Sequence, residues 1–285
     1  MKTIGVIANC GKPRAKDVLA RLGRKARSLG LELLAPAETA RLLPGARKVG
    51  GRRFFDAIEA LVALGGDGTV LRAVRELDGR ETPVLGVNIG SLGFLTSVAE
   101  EQLERALECL ARGNYTTGVR SIAECEAGMG KRTAAYRALN DVVLTNGGSS
   151  RVVTLDLTVD GEDVASLVCD GLIISTPTGS TAHSLSAGGP IVLPGSPVFV
   201  LTSICAHTLS TRPLVVPERS VIVVRVAGSH GGMQLSVDGQ VGCPLREGDR
   251  VTVRCSPQRV PFVHLPGYSY FSVLRQKLHW RGSIV

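Results

Sequence analysis

In the first 113 residues, short continuous apolar runs alternate with segments whose apolar residues recur at helical spacing. Residues 3–8, 60–64 and 83–88 form runs typical of buried strands, whereas 14–29 and 100–110 have the periodicity of amphipathic helices. Strands that alternate with helices predict a parallel sheet. The sequence therefore predicts an α/β amino-terminal domain.

Beyond Gly113 the helical periodicity almost vanishes, and strict alternation of apolar and polar residues replaces it. Residues 153–160 show this alternation, which is typical of antiparallel strands with one solvated face. Turns are expected at the dipeptides 160–161 and 247–248. Further strands are expected at 142–144, 171–175, 198–203, 221–226, 234–237 and 251–255. Together these segments predict an all-β domain built as a two-layer sheet.

The change of pattern gives the expected domain boundaries. Residues 1–114 are predicted to form the α/β domain and residues 115–266 the all-β domain. The tail from Tyr268 to Trp280 has helix-like spacing. We expect residues 267–285 to form a carboxy-terminal segment that packs on the first domain.

One glycine-rich turn carries an acid between a strand and a helix. Gly65, Gly66, Gly68 and Thr69 surround Asp67, after the apolar run 60–64. Glycines let a ligand approach the backbone, and the first N–H groups of a helix favour negative charge, so the turn is a candidate phosphate cradle. A carboxylate repels phosphate unless a metal intervenes or the acid accepts a proton, which makes Asp67 a candidate base or metal partner. Alternatively, Asp67 caps the helix at Thr69.

The sequence contains neither Gly-x-x-x-x-Gly-Lys-Ser/Thr nor Gly-x-Gly-x-x-Gly, so the turn is not a P-loop or a standard dinucleotide turn. A second glycine-rich stretch, residues 89–94, follows the strand at 83–88. Ligands bind at the carboxyl ends of strands in parallel sheets, and both turns follow strands. We therefore expect the two turns to face one cleft.

The predicted all-β domain has its own cluster of glycines and hydroxyls at residues 176–190. Its length, its hydroxyl groups and its Gly-Gly-Pro end suggest a short helix whose amino terminus meets a polar ligand. A solvent-facing loop rich in turn-forming residues is the alternative.

Composition narrows the class of protein. With 285 residues, 44% of them hydrophobic and 20% charged, the chain can bury two sizeable cores. No apolar leader precedes the first strand and no run reaches the length of a membrane span, so we expect a cytoplasmic protein without a membrane partner. The seven cysteines are scattered without Cys-x-x-Cys, which indicates neither a disulfide framework nor a zinc site.

The net charge of +8 is confined to the chain before the glycine turn. Residues 1–64 contain 13 Lys and Arg against 5 Asp and Glu, and the remaining residues balance at 20 against 20. A nucleic-acid surface would place aromatic residues among these charges, but only Phe54 and Phe55 occur there. We expect no nucleic-acid partner; a basic surface near a polyanionic nucleotide or a solvated helix face explains the charge.

Several motifs occur in order along nearly the whole chain: Gly65-Gly66-Asp67-Gly68-Thr69, Asn88 to Leu95, Asn140-Asp141, Asp170-Gly171, Thr176 to Pro190, Asp238-Gly239-Gln240 and Tyr268 to Phe271. In this order they resemble the NAD kinase family. The resemblance implies transfer of the γ-phosphoryl group of ATP to the 2′-hydroxyl of the adenosine ribose of NAD, giving NADP and ADP. It also implies a divalent cation, Mg²⁺, and a homodimer or homotetramer whose subunits share sites.

The resemblance also implies a role for each matching residue. Asp67 becomes the proton acceptor, with Gly68 and Arg72 beside it, and the turn Gly65, Gly66, Gly68 and Thr69 binds the ATP phosphates. Asn140 and Asp141 bind the ribose hydroxyls or the adenine edge of NAD. The other implied NAD-binding residues are Phe94, Arg151, Val168, Asp170, Thr181, Ala182, His183, Ser184, Leu185, Ser186 and Gln240. Asp170 is expected to act across a subunit boundary, and no protein side chain is assigned to the metal.

Three residues depart from the family pattern. His183 stands where members usually have Tyr, Asp141 is the shorter of the two accepted acids, and Val168 replaces a basic or polar residue. Two rival functions stay open: a lipid or sugar kinase with a similar Gly-Gly-Asp-Gly turn, and a nucleotide sensor that binds without catalysis. The motifs at 140–141 and 176–190 favour the dinucleotide over the first rival, and the intact Asp67 argues against the second.

Overall fold

The computed structural model describes residues 1–90, 93–130, 132–147, 152–208, 210–229 and 232–280. The chain forms two compact units. The first unit comprises Met1–Val119 and the chain from Val260 onward, and the second comprises Arg120–Arg259. Each unit has a sheet system and a buried apolar cluster of its own.

The strands and helices of the described residues are numbered in chain order. The strands of the first unit are β1 (Thr3–Ala8), β2 (Glu32–Ala35), β3 (Arg47–Lys48), β4 (Ala60–Gly65), β5 (Val84–Asn88), β6 (Val98–Ala99), β7 (Thr116–Arg120) and β20 (Val260–His264). Those of the second are β8 (Ala123–Met129), β9 (Arg132–Ala138), β10 (Asp141–Asn146), β11 (Val153–Val159), β12 (Glu162–Cys169), β13 (Gly171–Ser175), β14 (Val198–Ile204), β15 (Leu214–Pro217), β16 (Ile222–Gly228), β17 (Met233–Val237), β18 (Val241–Leu245) and β19 (Arg250–Cys255). The α-helices are α1 (Ala15–Ser28), α2 (Ala37–Ala40), α3 (Arg52–Asp56), α4 (Asp67–Leu77), α5 (Leu103–Arg112), α6 (His183–Ser186) and α7 (Tyr270–Lys277). Short 3-10 turns occur at Glu100–Gln102 and Gly179–Thr181.

The first unit is built on a mostly parallel sheet, as the sequence predicts. Its strand order is β3-β2-β1-β4-β5-β20-β7, with β6 paired to β5, and the pairs from β3 to β20 are parallel. Every residue of β4 is buried, which explains its continuous apolar sequence. Residues Gly65 and Asn88 end adjacent strands in register, so the glycine turns that follow them begin side by side.

Helices α1 and α5 cover one face of this sheet. Leu19 and Leu22 of α1 are buried in the same cluster as Leu103 and Leu107 of α5. Polar residues on the two helices form ion pairs across the contact, Arg21 with Glu104 and Lys25 with Glu108. The helical periodicity in the sequence therefore corresponds to two helices that pack against each other.

The second unit is a two-layer antiparallel structure, also as predicted. One sheet has the order β15-β14-β13-β10-β17-β18 and the other β12-β11-β16-β19-β8-β9. Apolar residues from both sheets, such as Leu144 and Ile174 from the first and Leu155 and Val224 from the second, share one buried cluster. Each sheet therefore buries one face against the other, which explains the alternation along the strands.

The unit boundaries differ from those expected. The sequence pattern places residues 115–266 in one all-β domain, but β7 and β20 belong to the sheet of the first unit. The sequence of a five-residue strand can indicate that it is a strand, but it does not indicate which sheet the strand joins. The topology of the fold sets the partners of the strand. The described part of the tail contacts the first unit: Arg105 of α5 donates to the Pro266 carbonyl at 3.3 Å, and the Lys277 ammonium lies 5.8 Å from the Phe94 ring centroid. None of the helices in the described ranges is long and apolar enough to cross a membrane.

Candidate functional site

Asp67 is the first residue of α4, directly after the buried strand β4. Its carboxylate accepts backbone N–H bonds from the loop that follows the second glycine turn: Oδ2 from Phe94 at 2.8 Å, and Oδ1 from Leu95 at 3.0 Å and Thr96 at 3.2 Å. The N–H of Thr69 instead donates to the Gly66 carbonyl at 2.9 Å. The alternative in which Asp67 caps the helix at Thr69 is therefore wrong, and Asp67 joins two loops at the carboxyl end of the sheet.

The loop approaches the Asp67 side chain closely at position 93. A Cβ on Gly93 would lie 1.9 Å from Asp67 Oδ1, so any other residue there would displace the Asp67 carboxylate. The Gly93 N–H donates to the Thr96 hydroxyl at 2.9 Å, and this hydroxyl lies 3.4 Å from the same carboxylate oxygen. The glycines of the second turn thus bring backbone donors to the acid of the first.

Two further predicted residues of the first unit already have protein partners. Arg72 on α4 lies 3.7 Å from the carboxylate of Glu76 and 4.0 Å from that of Glu38. The Phe94 ring, implied by the resemblance to bind NAD, has the Lys277 ammonium over its face. A ligand would compete with these contacts or share them.

The predicted residues of the second unit gather at one end of its first sheet. Strand β10 pairs with both β13 and β17 in antiparallel register, so the start of β10 lies beside the ends of those two strands. Residues 139–141, the loop after β13 and the turn 238–240 after β17 meet there. The Asn140 carbonyl accepts from the Thr176 N–H at 2.9 Å, and the Asp141 carbonyl accepts from the Asp238 N–H at 3.0 Å.

At this end of the sheet, buried acceptor atoms lack partners. Asp141 is 1% exposed, and neither of its carboxylate oxygens has a hydrogen-bond partner among the described residues. The same holds for Asn140 Oδ1. Leaving a buried acceptor unpaired costs roughly 1–3 kcal/mol, so such atoms indicate a ligand that donates hydrogen bonds.

The His183 imidazole lies beside this acid. Its Nδ1 lies 3.5 Å from Asp141 Oδ2, while the imidazole itself is 64% exposed. Burial raises the pKa of the Asp141 carboxyl above its ordinary value, and the neighbouring His183 opposes that rise. The ring also lies beside the turn after β17, because a Cβ on Gly239 would be 3.9 Å from His183 Cε1.

The Asp238 side chain binds the backbone of residues 139–141. Its carboxylate accepts backbone N–H bonds from Leu139 (2.9 Å), Asn140 (2.8 Å) and Asp141 (3.1 Å). Burial, helped by the charge of Asp141, raises the pKa of Asp238 to about 6, although the three N–H bonds lower it. Asp238 therefore fixes the backbone that presents Asn140 and Asp141.

The loop at 176–190 forms the 3-10 turn Gly179–Thr181 and the four-residue helix α6. Thr181, Ala182 and Leu185 are half-buried, whereas His183 and Ser186 are exposed. Ser184 is fully buried, and its hydroxyl shares a 2.9 Å hydrogen bond with Thr202 on β14. Of these predicted binding residues, Ser184 therefore anchors the loop to the sheet.

Other predicted residues lie away from this cluster. Val168 is in β12 and Asp170 directly precedes β13, at the opposite end of that strand from Thr176. The five residues of β13 span about 17 Å at the rise of an extended strand. Gln240, in contrast, is exposed in the turn 238–240 that belongs to this cluster, and Arg151 lies outside the described residues.

Two residues of these sites were not assigned a role from the sequence. Lys12, after β1, places its ammonium between the two glycine turns, and Asp238 supports residues 139–141. Asp238-Gly239-Gln240 is one of the motifs of the family resemblance, but its sequence does not indicate what Asp238 contacts, and a single Lys in a loop indicates no role. Within the described ranges no group of three or more His, Cys, Asp and Glu side chains is placed to hold a metal ion.

A glycine turn bearing an acid at the carboxyl end of parallel strands defines a nucleotide-binding α/β unit. The family model described as ATP-NAD kinase N-terminal domain matches residues 4–115, and that described as ATP-NAD kinase C-terminal domain matches residues 139–265. The chain therefore belongs to the NAD kinase family.

Individual relatives agree. The NAD kinase of Gemmatimonas aurantiaca is 48% identical over 79% of this chain and 78% of its own length, and that of Solibacter usitatus is 40% identical over 98% of both. Among solved structures, yeast NADH kinase complexed with NADH superposes with a TM-score of 0.92 at 26% identity, covering 100% of this chain and 89% of the yeast chain. An NAD kinase from Archaeoglobus fulgidus in complex with ATP gives 0.76 at 25% identity, covering 99% and 100%.

Proposed function

We propose that this chain transfers the γ-phosphoryl group of ATP to the 2′-hydroxyl of the adenosine ribose of NAD, giving NADP and ADP. The observation that supports it best is the set of buried, unpartnered acceptors on Asn140 and Asp141. Ribose hydroxyls are hydrogen-bond donors, and one carboxylate can accept from two of them. In a chain of the NAD kinase family, these acceptors are suited to the ribose of the dinucleotide.

The first unit would bind the donor. Phosphoryl transfer has a loose transition state, so the protein must mainly align the donor with the hydroxyl and neutralise charge. Backbone groups of Gly65, Gly66, Gly68 and Thr69, at the start of α4, would receive the triphosphate. The divalent cation, Mg²⁺, would enter as part of the donor substrate, held by phosphate oxygens and water.

Asp67 would accept the proton of the attacking hydroxyl late in the reaction. The structure gives this carboxylate a fixed orientation, because three backbone N–H groups and one hydroxyl surround it. Three of these four contacts fall on Oδ1 and one on Oδ2, so Oδ2 keeps a lone pair for the proton. Choice of the 2′ over the 3′ hydroxyl then depends on how Asn140 and Asp141 hold the ribose.

We further propose that the protein acts as a homodimer or homotetramer in which Asp170 reaches the site of a neighbouring subunit. The position of Asp170 at the far end of β13 supports this, because one chain would otherwise have to engage the same ligand at both ends of a strand. The cytoplasmic location expected from the sequence stays a prediction.

The deciding experiment is an assay of purified protein with ATP, Mg²⁺ and NAD, in which NADP is measured by a dehydrogenase specific for that product. Formation of NADP dependent on both substrates is expected. Binding of NAD without any NADP would instead favour the nucleotide sensor. Phosphorylation of diacylglycerol or a sugar phosphate, with NAD left unchanged, would favour the lipid or sugar kinase.

A further inference from the structure

The Lys12 ammonium in the first unit lies between the two glycine turns. Its Nζ donates to the carbonyl oxygen of Gly65, at 3.3 Å, and to that of Ile89. Gly65 ends β4, and Ile89 directly follows β5. The ammonium is therefore at the carboxyl ends of adjacent parallel strands, where ligands of such sheets bind.

The backbone around Lys12 is fixed to the same edge of the sheet. The Asn9 N–H donates to the Leu64 carbonyl at 2.8 Å, which ties the loop to β4. Asn9 Oδ1 then accepts from the Gly11 N–H at 3.2 Å, and the Lys12 carbonyl accepts from the Ala15 N–H at 3.0 Å at the start of α1. Because these hydrogen bonds fix the backbone of the loop at both ends, a ligand that binds Lys12 would have to order only the lysine side chain.

The ammonium lies close to the backbone of both turns. A Cβ on Gly66 would lie 3.8 Å from Nζ and one on Gly90 would lie 3.7 Å away, so side chains at these two positions would contact the ammonium. Within the described part of the chain, no carboxylate lies within 4.0 Å of Nζ. An ammonium has three donors, and the two carbonyls use two of them. A half-buried cation with neutral partners and one remaining donor is suited to an anion.

We propose that Lys12 binds the β- and γ-phosphates of the nucleotide donor. The turn at 65–69 contains an acid and no basic residue, so it lacks the cation that the lysine of a P-loop supplies to phosphates. Lys12 provides that charge from the loop after the neighbouring strand β1. The inference rests on the proposed function, in which Asp67 receives the hydroxyl proton and the γ-phosphoryl group must therefore lie beside the same turn.

The test compares binding of ATP, ADP and AMP, each with Mg²⁺, by calorimetry in wild type, Lys12→Met, Lys12→Gln and Lys12→Arg. Hydrogen bonds to charged groups are worth enough that Lys12→Met should weaken ATP binding about 10- to 100-fold. AMP, which lacks the β- and γ-phosphates, should bind nearly as before. Lys12→Gln keeps a donor for the carbonyls but loses the charge, so it should behave like Lys12→Met, whereas Lys12→Arg should recover part of the affinity. Lys16→Met is the matched control, because Lys16 is exposed on α1, and it should bind ATP as wild type does.

A purely structural lysine would give a different pattern. If Lys12 only joined the two turns, both neutral variants would weaken ATP and AMP equally and lower the unfolding temperature without ligand, and Lys12→Gln would be milder than Lys12→Met; that result would overturn the proposal. The proposal would also be overturned if the wild type forms NADP and both neutral variants bind ATP as tightly as the wild type does. If the wild type forms no NADP yet loses ATP affinity on Lys12→Met, the proposed reaction fails and the phosphate contact stands.

Discussion

The Asp67 carboxylate has one structural role and one proposed catalytic role. It accepts N–H bonds that hold the loop at 93–96, and the proposed reaction needs the same group to accept a proton. A residue that only held the loop could be replaced by any acceptor of similar shape, whereas a base could not. The two roles therefore separate in the kinetics.

We predict that Asp67→Asn lowers kcat by about a hundred- to ten-thousandfold, the usual effect of losing a general base, with little change in KM for ATP or NAD. The amide oxygen can keep the bonds to Leu95 and Thr96, but the amide nitrogen cannot accept from Phe94, so a small loss of thermal stability should accompany it. Steady-state kinetics and a melting curve measure both effects.

Thr96→Val is the control for loop holding, because it removes the hydroxyl beside Asp67 and keeps the carboxylate. We expect its kcat to fall less than about tenfold, since the hydroxyl's contact with the carboxylate is long, 3.4 Å, and its other bond, from the Gly93 N–H, is neutral. If Asp67→Asn keeps kcat within about threefold of wild type while KM for ATP rises, Asp67 is a binding residue and the proposed mechanism is wrong.

His183 departs from the family pattern, and its partner Asp141 makes the consequence specific. Protonation turns one acceptor oxygen of Asp141 into a donor and so weakens its grip on two ribose hydroxyls. Burial raises the pKa of Asp141, and His183 opposes the rise. In His183→Tyr that opposition is lost, so Asp141 takes up its proton at a higher pH. We predict that, on acidification from about pH 8 to 5, a range that spans imidazole and carboxyl titration, KM for NAD rises earlier in His183→Tyr than in wild type. Identical profiles would show that the ring is only a surface on which the ligand stacks.

The loop after β13 depends on a close approach to β10. In the 3-10 turn, a Cβ on Gly179 would lie 2.0 Å from the Asn140 carbonyl oxygen and 2.4 Å from its carbon. Both atoms are backbone, so the loop itself has to move. The loop carries His183, and the backbone it meets carries Asn140 and Asp141.

We predict that Gly179→Ala raises KM for NAD at least about tenfold and destabilises the fold by about 1–3 kcal/mol, the usual cost of overpacking. Gly195→Ala is the matched control, because nothing lies within 4 Å of a Cβ there and the backbone is not left-handed. That control should stay within about 0.5 kcal/mol of wild type. Equal effects of the two substitutions on KM would show that the loop position does not set NAD affinity.

The sequence predicted the elements whose side chains carry a strong pattern. Strand β4 is a continuous apolar run, and α1 buries Leu19 and Leu22 at helical spacing. Strand β8, in contrast, was not recognised. It buries Ala123, Cys125 and Ala127, which are small residues and give only a weak hydrophobic pattern in the sequence. In the structure, their burial alternates clearly with the more exposed glutamates between them.

The candidate site divides in the same way. Local motifs identified Asp67 and Asp141, because an acid within a glycine turn or beside an asparagine is visible in the chain itself. The support from Asp238 and the position of Lys12 were not visible, because Asp238 acts on residues 97 to 99 positions away and Lys12 donates across 53 positions. Such contacts follow from sheet topology, which brings strand ends together without leaving a pattern in the sequence.

The assembly is constrained by the two ends of β13. Thr176 and Asp141 lie at one end of the strand, and Asp170 lies at the other, beside the end of β10 where its backbone carbonyl accepts from the Asn146 N–H at 3.1 Å. The Asp170 side chain is half-buried and forms no ion pair within the described residues of one chain. A carboxylate in this position is available to a second copy of the chain.

If sites are shared, two inactive variants should restore each other. Asp67→Asn and Asp170→Ala each inactivate every site of a pure oligomer, but in a mixed oligomer some sites combine the intact Asp67 of one chain with the intact Asp170 of another. In a mixed dimer one of the two sites is complete, so we predict about half of wild-type activity in isolated mixed dimers, and about a quarter in the unfractionated random mixture, in which half of the dimers are mixed. The two variants carry different affinity tags and are mixed, dissociated and reassembled. Mixed oligomers are then isolated by both tags in sequence, and their formation of NADP is measured.

Each variant treated alone is the control and should stay inactive. No recovery in the doubly purified oligomers would mean that Asp67 and Asp170 of one site belong to the same chain, or that Asp170 has no part in it.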